Sequence, residues 1–331
     1  MKEKKRLIAE FEKQSFTQII FPHADTDWAK YLDEAQKTFI NIINTIRGYQ
    51  KCLIISYDID AVKAHFSDEK NLEFVHYITD DTWARDTSAL SLEQDGKTLL
   101  LDFTFNGWGN KFDATKDNAM TKAIAHKYAP CELKNVDFVL EGGGVESNGT
   151  GLILTTATCL FNKNRNPSYT TSQITQTVKN LFGAKDILYL HHGYLSGDDT
   201  DSHIDTLARF IDEKTIMYVT CNDKNDEHYQ ELKLMEEELQ LKAKEHNLKL
   251  IALPMCDAVY FQGERLPATY ANFLFINGAV LVPTYGVSQD KEALQIFKNT
   301  FTNRDVIGID CSVLIRQHGS LHCVTMNFHV K

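Results

Sequence analysis

The sequence lacks the features that mark several broad classes of protein. It has no apolar run near the roughly 20 residues that cross a membrane, and its first residues carry no apolar stretch typical of a secretory signal. Its seven cysteines are odd in number, spread along the chain and free of any Cys-x-x-Cys pair. We therefore expect a reduced, cytoplasmic protein without a disulfide framework or a structural zinc cluster.

Positive charge is also scarce. Lysine and arginine total 35 against 45 aspartates and glutamates, so the formal net charge is −10. An acidic protein of this kind is a poor candidate for binding nucleic acid or an anionic membrane, and it suits a small cationic partner better. The 331 residues, 43% of them hydrophobic, are enough for a large core and give a prior of about two domains.

Against that prior, the chain contains a recurring unit. Four short apolar strands, each followed by a polar loop, have centres roughly 60 residues apart, at Leu101, Leu154, Val219 and Val282. An Asp-Gly or Asn-Gly pair stands before two of them, after another apolar run, which predicts hairpins. Between the hairpins, patterns typical of amphipathic helices cover residues 28–48, 116–128, 171–182, 226–246 and 290–303.

The two ends of the chain complete the pattern. Residues 17–23 resemble the fourth strand, and residues 321–329 look like the first strand of a hairpin whose second strand is the N-terminal one. A fifth unit split in this way would close a ring and remove an exposed sheet edge. We therefore expect residues 1–331 to form a single α/β domain of five ββα units around an axis. An open α/β sheet with unrelated hairpins is the alternative.

Four short segments carry chemistry, although each also has a plain structural interpretation as an ion pair, a turn, a core histidine or an inert thiol. Glycines after a carboxylate indicate a close approach of a ligand to the main chain. His203 and Asp205 are at positions i and i+2, so on a strand they would share one face. The segments are Trp83-Ala-Arg-Asp86, Glu141-Gly-Gly-Gly, His203-Ile-Asp205 and His322-Cys323.

In a closed ring these segments converge, because they fall about one or two repeat periods apart. One nucleophile, Cys323, and one imidazole, His203, would then meet three carboxylates, Asp86, Glu141 and Asp205. Carboxylates match a planar guanidinium. A thiolate could attack its central carbon while the histidine acts as acid and then base, with neither a metal nor an organic cofactor.

With these segments in this order, the chain resembles the agmatine deiminase branch of the guanidine-modifying (pentein) superfamily, which includes bacterial peptidylarginine deiminases. The resemblance rests on the four segments and on Phe21-Pro-His23, residues 266–273 and residues 278–285, in the family's order. It implies a five-bladed, pseudo-symmetric α/β propeller closed by pairing of the N- and C-terminal strands. It also implies hydrolysis of agmatine, a small cationic guanidine, to N-carbamoylputrescine and ammonia.

The resemblance implies roles for single residues. Cys323 would be the nucleophile that forms a thiouronium intermediate, and His203 the general acid and base. Asp86 and Asp205 would grip the guanidinium nitrogens, and Glu141 would add a further hydrogen bond and orient the group. No metal and no cofactor take part.

Two further residues would contact the substrate. Trp83 would line the pocket, and Asp199 matches a position where some relatives carry an acidic residue facing the distal amine. The chain departs from the family in its nucleophile loop, residues 317–321, which has one glycine, and at Ser202, where relatives often have glycine.

Other functions stay open at this stage. Peptidyl-arginine or free arginine are alternative substrates, and free arginine needs a cationic partner for its carboxylate, for which Arg265 is the candidate. A metal-dependent hydrolase using His203 and Asp205, or a non-catalytic cation-binding module, are alternatives of other classes. The sequence is also compatible with a homo-oligomer.

Overall fold

The computed structural model describes residues 5–330, which form 19 strands, nine α-helices and five short 3₁₀ helices. The strands are β1 (Lys5–Leu7), β2 (Phe16–Ile20), β3 (Lys51–Ser56), β4 (Leu72–His76), β5 (Leu90–Gln94), β6 (Lys97–Thr104), β7 (Glu132–Val139), β8 (Glu146–Ser147), β9 (Leu152–Thr156), β10 (Asp186–Leu190), β11 (Ala208–Asp212), β12 (Thr215–Thr220), β13 (Lys249–Pro254), β14 (Tyr260–Phe261), β15 (Glu264–Arg265), β16 (Leu274–Ile276), β17 (Ala279–Thr284), β18 (Asp305–Asp310) and β19 (Thr325–Phe328). The α-helices are α1 (Leu32–Arg47), α2 (Ile59–Lys63), α3 (Ala84–Thr87), α4 (Gly107–Asn110), α5 (Thr115–Ala123), α6 (Ala157–Leu160), α7 (Thr171–Phe182), α8 (Tyr229–His246) and α9 (Asp290–Thr300). Short 3₁₀ turns cover Asp27–Tyr31, Ala125–Tyr128, Gly142–Gly144, Ile204–Thr206 and Leu314–Gln317.

Five sheets repeat one strand pattern, in which an antiparallel pair is followed by a parallel strand. The sheets are β1–β5–β6–β7, β8–β9–β10, β11–β12–β13, β16–β17–β18 and β19–β2–β3–β4. At least one helix joins the second strand of each antiparallel pair to the parallel strand beside it, as such a crossover requires. The antiparallel strand pairs and the helices expected from the repeat are present, and each of these sheets also holds a parallel strand that the repeat did not predict.

The expected pairing of the two chain ends is also confirmed. Strand β19 runs antiparallel to β2, from Thr325 opposite Ile19 to Phe328 opposite Phe16. The rings of Phe16 and Phe328 stack with centroids 4.8 Å apart. The last strand of the chain therefore completes a sheet that the N-terminal segment begins.

Apolar periodicity explains why these elements form. The inner face of α1 is fully buried and repeats every three or four residues, at Ala35, Phe39, Ile42, Ile43 and Ile46. Residues 279–282 of β17 are all fully buried, as expected for a strand covered on both faces. None of the described helices combines the length and apolarity that a membrane crossing needs.

One local expectation is wrong. His203 and Asp205 do not lie on a strand, because Ile204–Thr206 form a 3₁₀ turn in which the Thr206 amide donates to the His203 carbonyl at 3.2 Å. Asp201 and Ser202 just before it have φ angles of 68° and 64°, so the chain turns sharply here instead of extending. The strand β11 begins only at Ala208.

Candidate active site

A cavity of about 490 Å³ lies where loops from several sheets meet. Six of the seven residues proposed from the sequence line it: Trp83, Asp86, Asp199, His203, Asp205 and Cys323. The lining includes no lysine or arginine from the described part of the chain, but it includes ten aspartates: Asp25, Asp27, Asp80, Asp81, Asp86, Asp113, Asp117, Asp198, Asp199 and Asp205. Such a cavity favours a cation strongly.

The functional side chains stand next to strand ends, where the loops of the repeated units begin or finish. Asp86 lies on α3, just before β5, and Glu141 follows β7. The turn bearing His203 and Asp205 leads into β11, and Cys323 comes just before β19. The repeat therefore brings residues that are far apart in sequence to one place.

Two rigid donors fix the carboxylate of Asp86. The indole nitrogen of Trp108 donates to Oδ2 at 2.9 Å, and the amide of Gly143 donates to Oδ1 at 2.8 Å. Trp108 has a left-handed backbone, with φ of 54°, a conformation that costs energy for a bulky residue. Burial raises the pKa of Asp86, and the neighbouring His203 opposes that shift.

Asp205 is held from one side only. Its Oδ2 lies 2.7 Å from Nδ1 of His322, whereas its buried Oδ1 has no hydrogen-bond partner among residues 5–330. Burial alone would raise the pKa of Asp205, but the hydrogen bond and the charge of His322 lower it. An ionised carboxylate therefore keeps one free acceptor, which a guanidinium N–H could satisfy.

His203 is 1% exposed and lies among acidic groups. Its Nδ1 is 3.7 Å from Asp86 Oδ2, and its Nε2 is 4.0 Å from Glu141 Oε2. Burial opposes the charged form, yet Asp86, Cys159 and Glu141 raise the pKa of His203 well above its usual value. The raised pKa favours the protonated imidazole, the form that can donate a proton.

Glu141 is not among the described residues that line the cavity, and its contact with the guanidinium stays a prediction. It is fully buried, and Nε of Arg165 lies 2.9 Å from both of its oxygens. Arg165 also binds Asp201 at 2.7 Å. Glu141 therefore stands behind His203, on the side of the Nε2 atom.

Cys323 is 8% exposed and is held by Asn272. The amide nitrogen of Asn272 lies 3.2 Å from Sγ, and its Oδ1 accepts from the Cys323 amide at 3.3 Å. Burial, followed by the charges of Asp205 and Asp86, raises the pKa of the Cys323 thiol well above its usual value. A cation bound between these two carboxylates would remove the electrostatic part of that shift.

The glycines after Glu141 are needed because functional side chains crowd the main chain. A Cβ on Gly143 would lie 2.6 Å from Nδ1 of His203 and 2.9 Å from Oδ1 of Asp86, and one on Gly142 would lie 2.2 Å from the Arg85 carbonyl oxygen. The sequence predicted that a ligand comes close to the main chain at these glycines. The groups that come close in the structure are the protein's own His203, Asp86 and Arg85.

One cluster has the composition of a metal site. Ligand atoms of Glu141, Cys159 and His203 all lie within 4.8 Å of one another. The guanidinium of Arg165 already forms an ion pair with Glu141. Its positive charge would repel a metal ion bound at the same carboxylate. The cluster also leaves out Asp205, which the metal-dependent alternative required.

Several residues of the site had no role assigned to them from the sequence, among them Asn272, His322 and Glu10. Trp108 and Arg165 lie in the polar loops that follow β6 and β9, so the repeat itself carried a signal for them. Arg265, considered as a partner for an α-carboxylate, does not line the cavity and instead binds Asp226 at 2.7 Å and Glu227 at 3.0 Å.

Residues 6–328 match the model of the Porphyromonas-type peptidyl-arginine deiminase family. A solved C. jejuni agmatine deiminase, a cysteine-to-serine variant with substrate bound, is 40% identical and has a TM-score of 0.95, with 99% of this chain and 98% of that one covered. A Porphyromonas gingivalis structure, named provisionally as an arginine deiminase, is 44% identical over 98% of each chain, with a TM-score of 0.94. A Legionella pneumophila protein, named provisionally as an agmatine deiminase, is 31% identical over 92% of this chain and 88% of its own.

Proposed function

The chain belongs to the Porphyromonas-type peptidyl-arginine deiminase family, and from that premise we propose that it is an agmatine deiminase. It is a hydrolase of C–N bonds in linear amidines that converts agmatine and water to N-carbamoylputrescine and ammonia. The observation that carries the proposal is a buried thiol beside two buried carboxylates, in a cavity with ten aspartates and no described lysine or arginine. Agmatine is a dication at neutral pH and fits that charge.

Covalent catalysis proceeds in two halves. The guanidinium binds between Asp86 and Asp205, and its charge favours the thiolate of Cys323. Sγ attacks the central carbon, and the resulting tetrahedral adduct loses ammonia as its C–N bond breaks and His203 supplies the proton. A thiouronium remains on Cys323. Neutral His203 then takes a proton from water, which attacks the same carbon, and the C–S bond breaks to release the product.

The remaining residues support these steps. Glu141, opposite Nε2 of His203, favours the protonated imidazole and so prepares it to donate. Trp83 forms an apolar wall, with its indole nitrogen 2.9 Å from Asp81. Asp199 binds the distal ammonium of agmatine. Burial and the neighbouring Asp198 raise the pKa of Asp199. A bound cation lowers that pKa again, because it favours the ionised carboxylate.

Free arginine is the second candidate, because one similar structure carries a provisional arginine deiminase name. Its α-carboxylate would enter a cavity lined with aspartates, where an unpaired buried charge is costly. Agmatine, which lacks that carboxylate, is therefore the preferred substrate.

We extend the proposal to the architecture and the setting. The five sheets of one pattern and the pairing of β19 with β2 support a single domain closed into a five-bladed propeller. Seven free cysteines fit a cytoplasmic enzyme. The product is one decarbamoylation from putrescine, which fits a place in polyamine biosynthesis.

Ammonia release from agmatine, arginine and an arginine-containing peptide tests the proposal. We expect kcat/KM for agmatine to exceed the other two values, with the activity lost on thiol alkylation and retained with a chelator. A higher kcat/KM for arginine would overturn the specificity, and activity that depends on a metal would overturn the mechanism.

A further inference from the structure

A buried series of charged groups runs behind Asp205, away from the cavity. Nδ1 of His322 lies 2.7 Å from Asp205 Oδ2, and its Nε2 lies 2.5 Å from Oε2 of Glu10. The same oxygen of Glu10 is 2.9 Å from Arg209 and 3.2 Å from Arg85. None of these five side chains is more than 9% exposed.

Both ring nitrogens of His322 contact carboxylate oxygens. Carboxylates only accept hydrogen bonds, so both contacts are hydrogen bonds only when both ring nitrogens carry a proton. Burial alone would raise the pKa of Glu10, but Arg209, His322 and Arg85 hold it well below its usual value. His322 thus lies between two carboxylates, with its ring plane fixed from both sides.

The two carboxylate oxygens of Asp205 have different surroundings. Oδ2 is engaged by His322, while Oδ1 is buried and has no partner in the described part of the chain. Without the donor at Oδ2, the carboxylate could turn and bring its charge closer to Sγ of Cys323, which lies 3.9 Å from Oδ2. Glu10 itself is anchored by the Phe275 amide, which donates to Oε1 at 2.9 Å.

We propose that His322 is a positioning residue which, held by Glu10, fixes Asp205 so that Oδ1 stays available to the substrate guanidinium. The inference rests on the proposed function, because it needs Asp205 to bind that group. It gives the segment between β1 and β2, which carries Glu10, a part in substrate binding although Glu10 does not line the cavity.

Two isosteric variants of the full chain separate the two hydrogen bonds of His322. The amide nitrogen of asparagine can take the place of Nδ1, and that of glutamine the place of Nε2, so H322N keeps the donor to Asp205 and H322Q loses it. We expect H322Q to raise KM for agmatine at least about tenfold, with a smaller fall in kcat, and H322N, which keeps the donor to Asp205 but loses the contact with Glu10, to raise KM by a clearly smaller factor. A merely structural role would lower the Tm of both variants without separating their KM values.

A second matched pair decides the matter if H322Q does not fold. Glu10 contacts His322, whereas Glu146 belongs to the same buried cluster but binds Arg209 instead. We expect E10Q to raise KM for agmatine and E146Q to leave it unchanged. Equal KM values within both pairs would overturn the role of His322 while the deiminase activity of the wild type stands. Absence of ammonia release from agmatine by the wild-type enzyme would overturn the proposed function as well.

Discussion

Gly143→Ala tests whether the spacing around His203 is as tight as the structure indicates. The new methyl carbon would lie 2.6 Å from Nδ1 of His203, 2.9 Å from Oδ1 of Asp86 and 3.1 Å from Oδ2 of Asp205. Ordinary contact begins near 3.4 Å, so the ring nitrogen must retreat by about 0.8 Å or the glycine turn must shift as far. Either change moves the general acid away from its working position.

A displacement of this size has a large kinetic effect. Misplacing a catalytic group by ~1 Å costs about 100-fold in rate, and overpacking of this kind costs about 1–3 kcal/mol of stability. We therefore expect kcat/KM for agmatine to fall roughly 100-fold while the variant still folds. Ammonia release gives the rate, and urea unfolding followed by circular dichroism gives the stability.

Gly144→Ala is the matched control. A Cβ on Gly144 would meet Sγ of Cys159 at 3.4 Å and His203 no closer than 3.9 Å, which is ordinary contact. Neither glycine has a positive φ, so alanine is tolerated by the backbone at both positions. We expect Gly144→Ala to stay within about threefold of wild type in kcat/KM. Similar activity of the two variants would refute the proposed crowding at His203.

Three further changes probe charge at the site and in the core. Asp199→Asn should raise KM for agmatine roughly tenfold and lower kcat much less, measured by steady-state ammonia release; a change confined to kcat would contradict binding of the distal ammonium. Arg165→Met leaves Glu141 buried and unpaired and should cost about 3–5 kcal/mol in urea unfolding, part of which Glu141→Gln restores in the double variant. Burial lowers the pKa of His329 from 6.5 to about 4, so the unfolded chain binds this proton at higher pH than the folded one, and stability rises with pH across that window. His329→Gln should flatten this rise between pH 4.5 and about 6.5, and an unchanged slope would show that other groups cause it.

Much of the fold could be predicted because its signals are local. Amphipathic periodicity predicted the five long helices, and apolar runs beside Asp-Gly and Asn-Gly predicted the hairpins. The parallel strands β3, β10, β13 and β18, and β4 beside β3, were missed because the predicted repeat unit holds only two strands and a helix. The pair β14 and β15 was missed because each strand has two residues.

The site could be predicted only in part, because pairing between distant side chains leaves no local pattern. The repeat brought Asp86, His203 and Cys323 together, and all three line the cavity. The position of Glu141 depends on Arg165, which lies 24 residues away and contacts it only in three dimensions. Likewise, Asn272 contacts Cys323 across 51 residues, and the sequence showed it only as part of a family segment.

The central claim is that Cys323 carries the reaction through a covalent intermediate. Mass spectrometry of wild-type enzyme quenched during turnover of agmatine, followed by peptide mapping, tests it most directly. We expect an added mass of agmatine less ammonia on the peptide that bears Cys323, and no such adduct in Cys323→Ser, which should bind agmatine but release negligible ammonia. An adduct on another of the seven cysteines, or near-wild-type turnover by Cys323→Ser, would contradict the mechanism.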